Sequence, residues 1–528
     1  MAGFASALTG LAQQIWNNDS VRVGVGVAVL ALLLATEMLP GQWTSNEVNV
    51  YYLSYRWANP EAFGPYHSIF DDTYARTLGY LIMGSAIELL GFERAETVLS
   101  LAQWGVSAAA FYWMIRALKL GLTEGVIGLA TMLLLNQSLF GGEWIFGGVE
   151  TKTMAYIFLF LALGMVALHR TMVAMVLCAV AVYLHFLVGG FWGAALLVLI
   201  ALRAGSIQQA ISPGFVFAGL VAPLAIVIAW ERLNSNAIDA NALGVSVNWI
   251  YSEFRAPHHT APFADLDGAF LAFWLPGWLM HIGFAVAALL MARASDKSDK
   301  PIYIWLLGLN LYAVLALGFA YLDRNTHLFA AFYIFRPSAL ILLLSLLYAA
   351  KYVTFHSRND RFARVGLAMA VGITVLFIPR LVDSVHNATF GRVSLAETLS
   401  GRQKDMVSWI KENTSDDAVV LIAPSPRVGD EGDAYLPWVG MEILLQRPTL
   451  VNYKFVPTSK TDVLRWYELL NWRRLLLSGD CTAFEGARLN YVVTRTQNSA
   501  DALQACGRTV WGHSDFAIVE IDQAKLSH

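Results

Sequence analysis

Apolar stretches, many close to the length of a bilayer crossing, alternate along this chain with short polar clusters. A helix needs about 20 apolar residues to cross the hydrocarbon core of a membrane. By that measure the pattern predicts about eleven transmembrane helices: 23–39, 97–115, 126–140, 154–168, 172–188, 194–202, 215–230, 269–291, 304–321, 332–350 and 365–378. The fold class is a polytopic α-helical membrane protein.

One further segment, 77–91, is apolar but short and carries Glu88. It reads as a juxtamembrane or re-entrant helix. Charge supports this. If the segment does not cross and the N-terminus is cytoplasmic, Arg116/Lys119, Arg170, Arg203, Arg293/Lys297/Lys300 and Lys351/Arg358/Arg361/Arg364 all fall on the cytoplasmic side, as the positive-inside rule asks. If it crosses, every later loop inverts. The C-terminal part is therefore expected outside the cytoplasm.

From about Ser394 the pattern becomes that of a soluble region. An amphipathic helix precedes strands at 418–422, 489–493 and 516–521. The expected division is a transmembrane part, 1–393, with outer loops 40–96 and 231–267, followed by an extracytoplasmic α/β domain, 394–528. Cys481 and Cys506 fall in that outer domain, where a disulfide can persist, while Cys178 sits alone in a span.

Composition agrees: the chain is 57% hydrophobic and 14% charged, too apolar for a soluble protein of 528 residues. No basic tract points to nucleic acid. The 17 Trp, 20 Tyr and 29 Phe suit interfacial belts and the stacking of sugar rings.

With sides assigned, the unusual polar residues collect on the outer face. The stretch 44–72 carries Glu47, Asp71 and Asp72, carboxylates able to take a proton from an incoming hydroxyl, or else solvated loop charges. Glycines 141, 142, 147 and 148 permit non-helical backbone at membrane depth, which is tolerated only beside a cavity or inside protein. Glu143 and Glu150 then face such a cavity, Lys152 following them in the same outer segment; the alternative is a surface turn. Arg255, His258 and His259 are clustered donors suited to a phosphate or pyrophosphate, a metal or a structural role being the alternatives. Arg336 is an isolated cation placed in the outer half of a span, and His185 stands at the outer end of another. No ligand set has convincing metal spacing, so the cofactor is unknown, a divalent cation staying open.

These features resemble the GT-C superfamily of membrane glycosyltransferases, and more narrowly bacterial GT-C-like proteins. The resemblance rests on Asn46-Glu47 opening the first outer loop, Arg255–His259 in a later one, Trp409–Thr414 before a strand, and Asn452-Tyr453-Lys454 beyond it. Many GT-C enzymes carry Asp where this chain has Asn46-Glu47, which leaves Glu47 and the Asp71/Asp72 pair as alternative bases. The resemblance implies transfer of a sugar from a polyprenyl-phosphate-linked donor to an extracytoplasmic glycan, glycolipid or protein, with membrane lipid as a partner. Glu47, Asp71 and Asp72 would then be catalytic. Arg255, His258, His259, Arg336 and His185 would hold the donor phosphate, and Asn46, Glu143, Glu150, Lys152 and Lys454 the substrate. An O-antigen-type polymerase or ligase, and a transporter or flippase without chemistry, are the competing functions.

Overall fold

A computed structural model describes residues 19–39, 43–60, 62, 73–234, 243–356, 360–391, 394–424, 436–457, 459–484, 488–495 and 497–526. Among them, six helices are long and apolar enough to cross a membrane: Asp19–Met38, Phe92–Ala117, Phe186–Arg203, Ile207–Trp230, Leu266–Ala294 and Lys300–Asp323. Five shorter apolar helices accompany them: Thr77–Leu90, Leu122–Leu134, Thr151–Ala167, Thr171–Leu184 and Ser338–Thr354.

Side-chain bonds between helices show which ends lie together. At one end Tyr112 Oη donates to Arg22 O at 3.3 Å, Arg203 Nη1 to Val166 O at 3.2 Å, and Lys351 pairs with Asp299 at 2.9 Å. At the other, Trp43 Nε1 donates to Glu93 at 3.2 Å, Ser338 Oγ to Phe140 O at 3.1 Å, and Ser384 Oγ to Thr36 O at 3.4 Å.

The helix Thr77–Leu90 belongs wholly to the second end. It starts where Gly79 packs against Thr151 and Leu184, and closes at Gly91, whose φ of 76° turns the chain straight into Phe92–Ala117. Glycine takes that left-handed conformation without steric cost.

Two boundaries differ from the sequence pattern. The expected span 172–188 breaks at His185, whose extended backbone ends one helix and begins the next. The expected span 332–350 begins at Ser338, after a turn in which Tyr333 has a φ of 50°. Pro337 explains the delay, because the residue before proline is kept out of helical geometry. Arg336 therefore sits in a turn and not inside a span.

The C-terminal region carries a four-stranded sheet of order β1-β2-β4-β3: β1 Val420–Ala423, β2 Tyr491–Thr494, β3 Gly507–Gly512 and β4 Ala517–Ile521. The pair β1–β2 is parallel and the others antiparallel. Helix Gly401–Asn413 starts at a Ser400/Gln403 capping box and buries Met406, Val407 and Ile410. Cys481 and Cys506 are disulfide-bonded, and Cys178 is free and buried. This region is joined to the bundle by aromatic packing: Phe455 stacks on Tyr52 with centroids 4.6 Å apart, and Trp466 meets Phe254 edge-on at 5.9 Å.

Candidate functional site

The helix Ser45–Ala58 begins at a capping box in which Thr44 Oγ accepts from Glu47 N at 3.2 Å and Glu47 Oε2 accepts from Thr44 N at 2.9 Å. The second Glu47 oxygen accepts the amide of Val149 at 2.9 Å. Gly148 leaves room for this, since a Cβ there would collide with the carboxylate. Burial pushes Glu47 up to about 7, against the pull of its backbone donors. One oxygen thus caps its own helix and the other ties that helix to the glycine-rich loop. One turn apart on the same helix, Asn46 and Asn49 line a cavity that Glu47 does not.

That loop is irregular backbone inside the protein, and buried amides satisfy it. Gln137 donates to Phe146 O at 2.7 Å and accepts from Ile145 N and Phe146 N, while Gln103 donates to the carbonyls of Gly147 and Gly148. Gly141 and Gly142 take φ values of 76° and 54°, and a Cβ on Gly141 would press into Phe335. This geometry carries Glu143 inward, where it is 2% exposed.

Three groups surround Glu143. Lys152 Nζ lies 3.3 Å from Oε2, Arg336 Nε 3.2 Å from Oε1, and His259 Nδ1 3.8 Å from Oε1. Burial alone would raise its pKa, but Lys152, then Arg336 and His259, hold it down at about 2. Lys152 also rests over the Trp144 ring, 3.3 Å from its centroid, and Arg336 over Tyr333 at 4.3 Å. Arg336 Nη1 reaches His185 Nε2 at 3.3 Å. His259 is pressed down to about 3 by burial, and its Nδ1 meets Gly141 O at 2.5 Å. At neutral pH it is uncharged and donates to that carbonyl.

The opposite wall comes from the C-terminal region. Arg255 Nη2 donates to Lys454 O at 3.3 Å and lies 5.1 Å from the Tyr453 ring centroid. Its buried Nε has no hydrogen-bond partner. Among the described residues neither Arg255 nor Lys454 has a carboxylate within ion-pair distance. Burial, then Arg255, lower Lys454 to about 8, against the pull of the Glu150 carboxylate, which lines the same cavity but does not reach ion-pair distance. Asn452 fixes this strand of backbone: its Oδ1 accepts from Lys454 N at 2.8 Å, and its Nδ2 donates to buried Glu442 at 2.7 Å.

Together these segments enclose a cavity of about 270 Å³. Ten of the expected site residues line it: Asn46, Glu143, Glu150, Lys152, His185, Arg255, His258, His259, Arg336 and Lys454. Glu47 stands behind the wall, and Asp71 and Asp72 lie outside the described residues. Sequence reasoning missed Asn49, Arg76, Trp144 and Tyr333, which also line it. Asn49 was accessible as the helical neighbour of Asn46; Tyr333 reaches the cavity through a left-handed turn without local signal. Among the described residues no group of three His, Cys, Asp or Glu side chains is placed to hold a metal ion.

Residues 402–472 match a family model described as a domain of unknown function, DUF6798. No curated protein matches the chain. Among solved structures, the arabinofuranosyltransferase AftD from Mycobacteria aligns in two classes of one mutant, with TM-scores of 0.55 and 0.51 at 14% identity. The alignments cover 96% and 95% of this chain and 42% of AftD, so the chain spans less than half the length of that protein. ArnT from Cupriavidus metallidurans bound to undecaprenyl phosphate aligns at 12% identity with a TM-score of 0.48, covering 98% of this chain and 99% of ArnT. The likeness to AftD is one of fold: the chain has the GT-C-like membrane fold its sequence resembles.

Proposed function

We propose that a chain with this fold and this cavity is a membrane glycosyltransferase taking a sugar from a polyprenyl-phosphate-linked donor and passing it to an extracytoplasmic glycan, glycolipid or protein. One observation carries the reading: Arg255 and Lys454 stand side by side in the cavity wall with no carboxylate partner among the described residues. Both side chains are half-buried; charges withdrawn from water are ordinarily paired, and a phosphate group would complete these two.

In the proposed reaction an acceptor hydroxyl attacks the anomeric carbon. The bond from that carbon to the donor phosphate oxygen breaks, its electron pair stays on the phosphate, and the hydroxyl proton passes to a carboxylate. Arg255 and Lys454 stabilise the charge that grows on the leaving phosphate. Arg336 and Lys152 share the one carboxylate of Glu143, so that wall keeps a single net positive charge and both of its cations are already engaged. Glu143 is a poor base, being held so far below neutrality. We assign the base to the Asp71/Asp72 pair, because Ala75 and Arg76, only three and four residues beyond Asp72, line the cavity. Glu47 becomes a positioning residue. The wider frame is eleven crossings, with the N-terminus cytoplasmic, in a bacterial inner membrane. The 394–528 region is then an extracytoplasmic domain covering the acceptor side, where the Cys481–Cys506 disulfide can persist.

The test is a single-turnover assay in lipid nanodiscs with a panel of radiolabelled polyprenyl-phosphate sugars, following release of polyprenyl phosphate with and without EDTA. Release from one donor, lost in Arg255→Ala and in Asp71→Asn/Asp72→Asn protein that remains folded, supports the reading. Binding without release from any donor overturns it in favour of a carrier-binding or transport role.

A further inference from the structure

A second, larger cavity lies at the opposite end of the bundle. It has a volume of about 350 Å³ and is formed where Thr151–Ala167 turns into Thr171–Leu184 and where Phe186–Arg203 turns into Ile207–Asn234. Nothing in the proposed glycosyl transfer uses it. Its floor is apolar, from buried Val166 and Ile200, and its rim carries exposed Met172 with Arg203, Thr171, Gln208 and Ser212.

The chemistry of the rim is one-sided. Arg203 gives one N–H to Val166 O at 3.2 Å, and no carboxylate pairs with it among the described residues. Two carboxylates at this end are engaged elsewhere: Asp299 with Lys351 at 2.9 Å, and Glu124 accepting from Thr354 at 2.6 Å. The side chains of Thr171, Gln208 and Ser212 make no hydrogen bond in the described structure, so they add donors without adding negative charge. His169 gives the rim its shape, its φ of 58° bringing the second helix back alongside the first.

The surroundings decide what an anionic ligand must look like. Exposed apolar side chains run away from the cleft along its helices: Val173 at 44%, Val176 at 44%, Val198 at 55%, Ile211 at 48% and Phe215 at 74% exposure. A small soluble anion has no use for such a surface, whereas an acyl chain does. This is also the end that carries Arg116, Lys119 and Arg170 in its turns. Basic pockets between membrane helices select anionic headgroups.

We propose that this cleft binds an anionic phospholipid, its phosphate on Arg203 and the Thr171, Gln208 and Ser212 donors, with an acyl chain along the exposed strip from Val198 to Phe215. The site is separate from the donor cavity, and its occupancy stabilises the packing of the helix beginning at Ile207, whose span Ile207–Trp230 is the least buried of the six long apolar ones.

The test uses delipidated full-length protein in detergent and needs no activity. Thermal unfolding is followed while phosphatidylglycerol, phosphatidylcholine or inorganic phosphate is titrated in. Phosphatidylglycerol should raise Tm by a few degrees, as a ligand selective for the folded state does. Arg203→Gln should remove most of that shift. Ser212→Leu, which keeps the charge but fills the cleft, should remove it too, and decides the matter if Arg203→Gln does not fold. An equal shift with phosphatidylcholine, an equal shift with inorganic phosphate, or an unchanged shift in Ser212→Leu would each overturn the proposal.

Discussion

Arg336 Nε stands 3.2 Å from Glu143 Oε1, joining positions 193 residues apart, and Lys152 holds the second oxygen at 3.3 Å. The carboxylate is the hub of the cavity's far wall. Removing it strands two cations, and breaking a buried pair costs about 3–5 kcal/mol. Glu143→Ala should therefore lower Tm sharply, and Glu143→Gln, which keeps a hydrogen-bonding oxygen, less so. The pH dependence follows from its depressed pKa. Glu143's contribution is complete above its ordinary value of 4.5 and is lost as pH falls toward about 2. Thermal unfolding followed from neutral pH into that window should show a loss that Glu143→Gln lacks.

Lys454 should set an alkaline limit on donor use. It is held at about 8 by burial and by Arg255, so its charge disappears as pH rises through that value. His258, pushed down by burial and by Arg255, is already neutral there. The profile of kcat/KM, which reports the free enzyme, should fall above pH 8 in the wild type. In Lys454→Arg the fall should be absent, because guanidinium does not titrate in this range; a fall that persists would assign the limit to another group.

Glu47 and Asp72 should separate cleanly. Loss of a capping side chain costs about 0.5–2 kcal/mol, and Glu47→Ala gives up the Val149 bond as well. Its Tm should drop, while turnover per folded molecule stays within roughly tenfold of wild type. Loss of a general base costs about 10²–10⁴-fold in rate, so Asp72→Asn, alone or with Asp71→Asn, should lose turnover at unchanged Tm. The reverse pattern, read by unfolding and turnover on the same preparations, would return the base to Glu47.

Glu442 should act on the donor from a distance. It is 1% exposed, and its Oε1 accepts from Asn452 at 2.7 Å and Thr449 at 3.2 Å; Asn452 in turn orients the Lys454 amide. Glu442→Leu leaves both donors unpaired, at about 1–3 kcal/mol, and frees the Lys454 backbone. KM for the donor should rise about tenfold or more with little change in kcat, and Glu442→Gln should restore it. Equal losses of kcat and stability with no KM change would mean Glu442 only supports the fold.

The disulfide should matter to stability more than to chemistry. It closes a loop across 25 positions, for which the chain-entropy account gives about 3–4 kcal/mol. A paired Cys481→Ser/Cys506→Ser variant, or treatment with reductant, should lower the unfolding midpoint of the C-terminal region and leave donor affinity nearly intact.

Much of this site was legible because membrane chemistry is restrictive. A Glu beside paired glycines, or Arg-Ala-Pro-His-His between apolar runs, has few uses at a membrane face, and these residues do meet in one cavity. The sequence pattern could not say which polar groups were already spoken for. Thr44 and Glu47 have capping-box spacing, yet the bond from Glu47 to Val149 spans 102 positions and depends on the bare backbone of Gly148. Arg336 looks like a free phosphate ligand, and Lys152 like a free substrate contact, until Glu143 is seen between them. The strand Gly507–Gly512 escaped notice because glycines bound it and its residues are largely exposed, so it lacks the alternation that marks its neighbours.

The cavity is lined from Asn46 near the start of the chain to Pro457 near its end. No segment shorter than the stretch from Asn46 to Pro457 can assemble it. Between emergence of those two residues a ribosome working at about 5–20 residues per second needs roughly 20–80 s. During that interval the glycine-rich loop and the basic turn at Arg255 are in place without Lys454, so a nascent chain already threaded into the membrane has no complete pocket. Competence arrives late and at once, when the segment bearing Phe455 closes onto Tyr52, and a chain truncated before that point would occupy the membrane without taking up ligand.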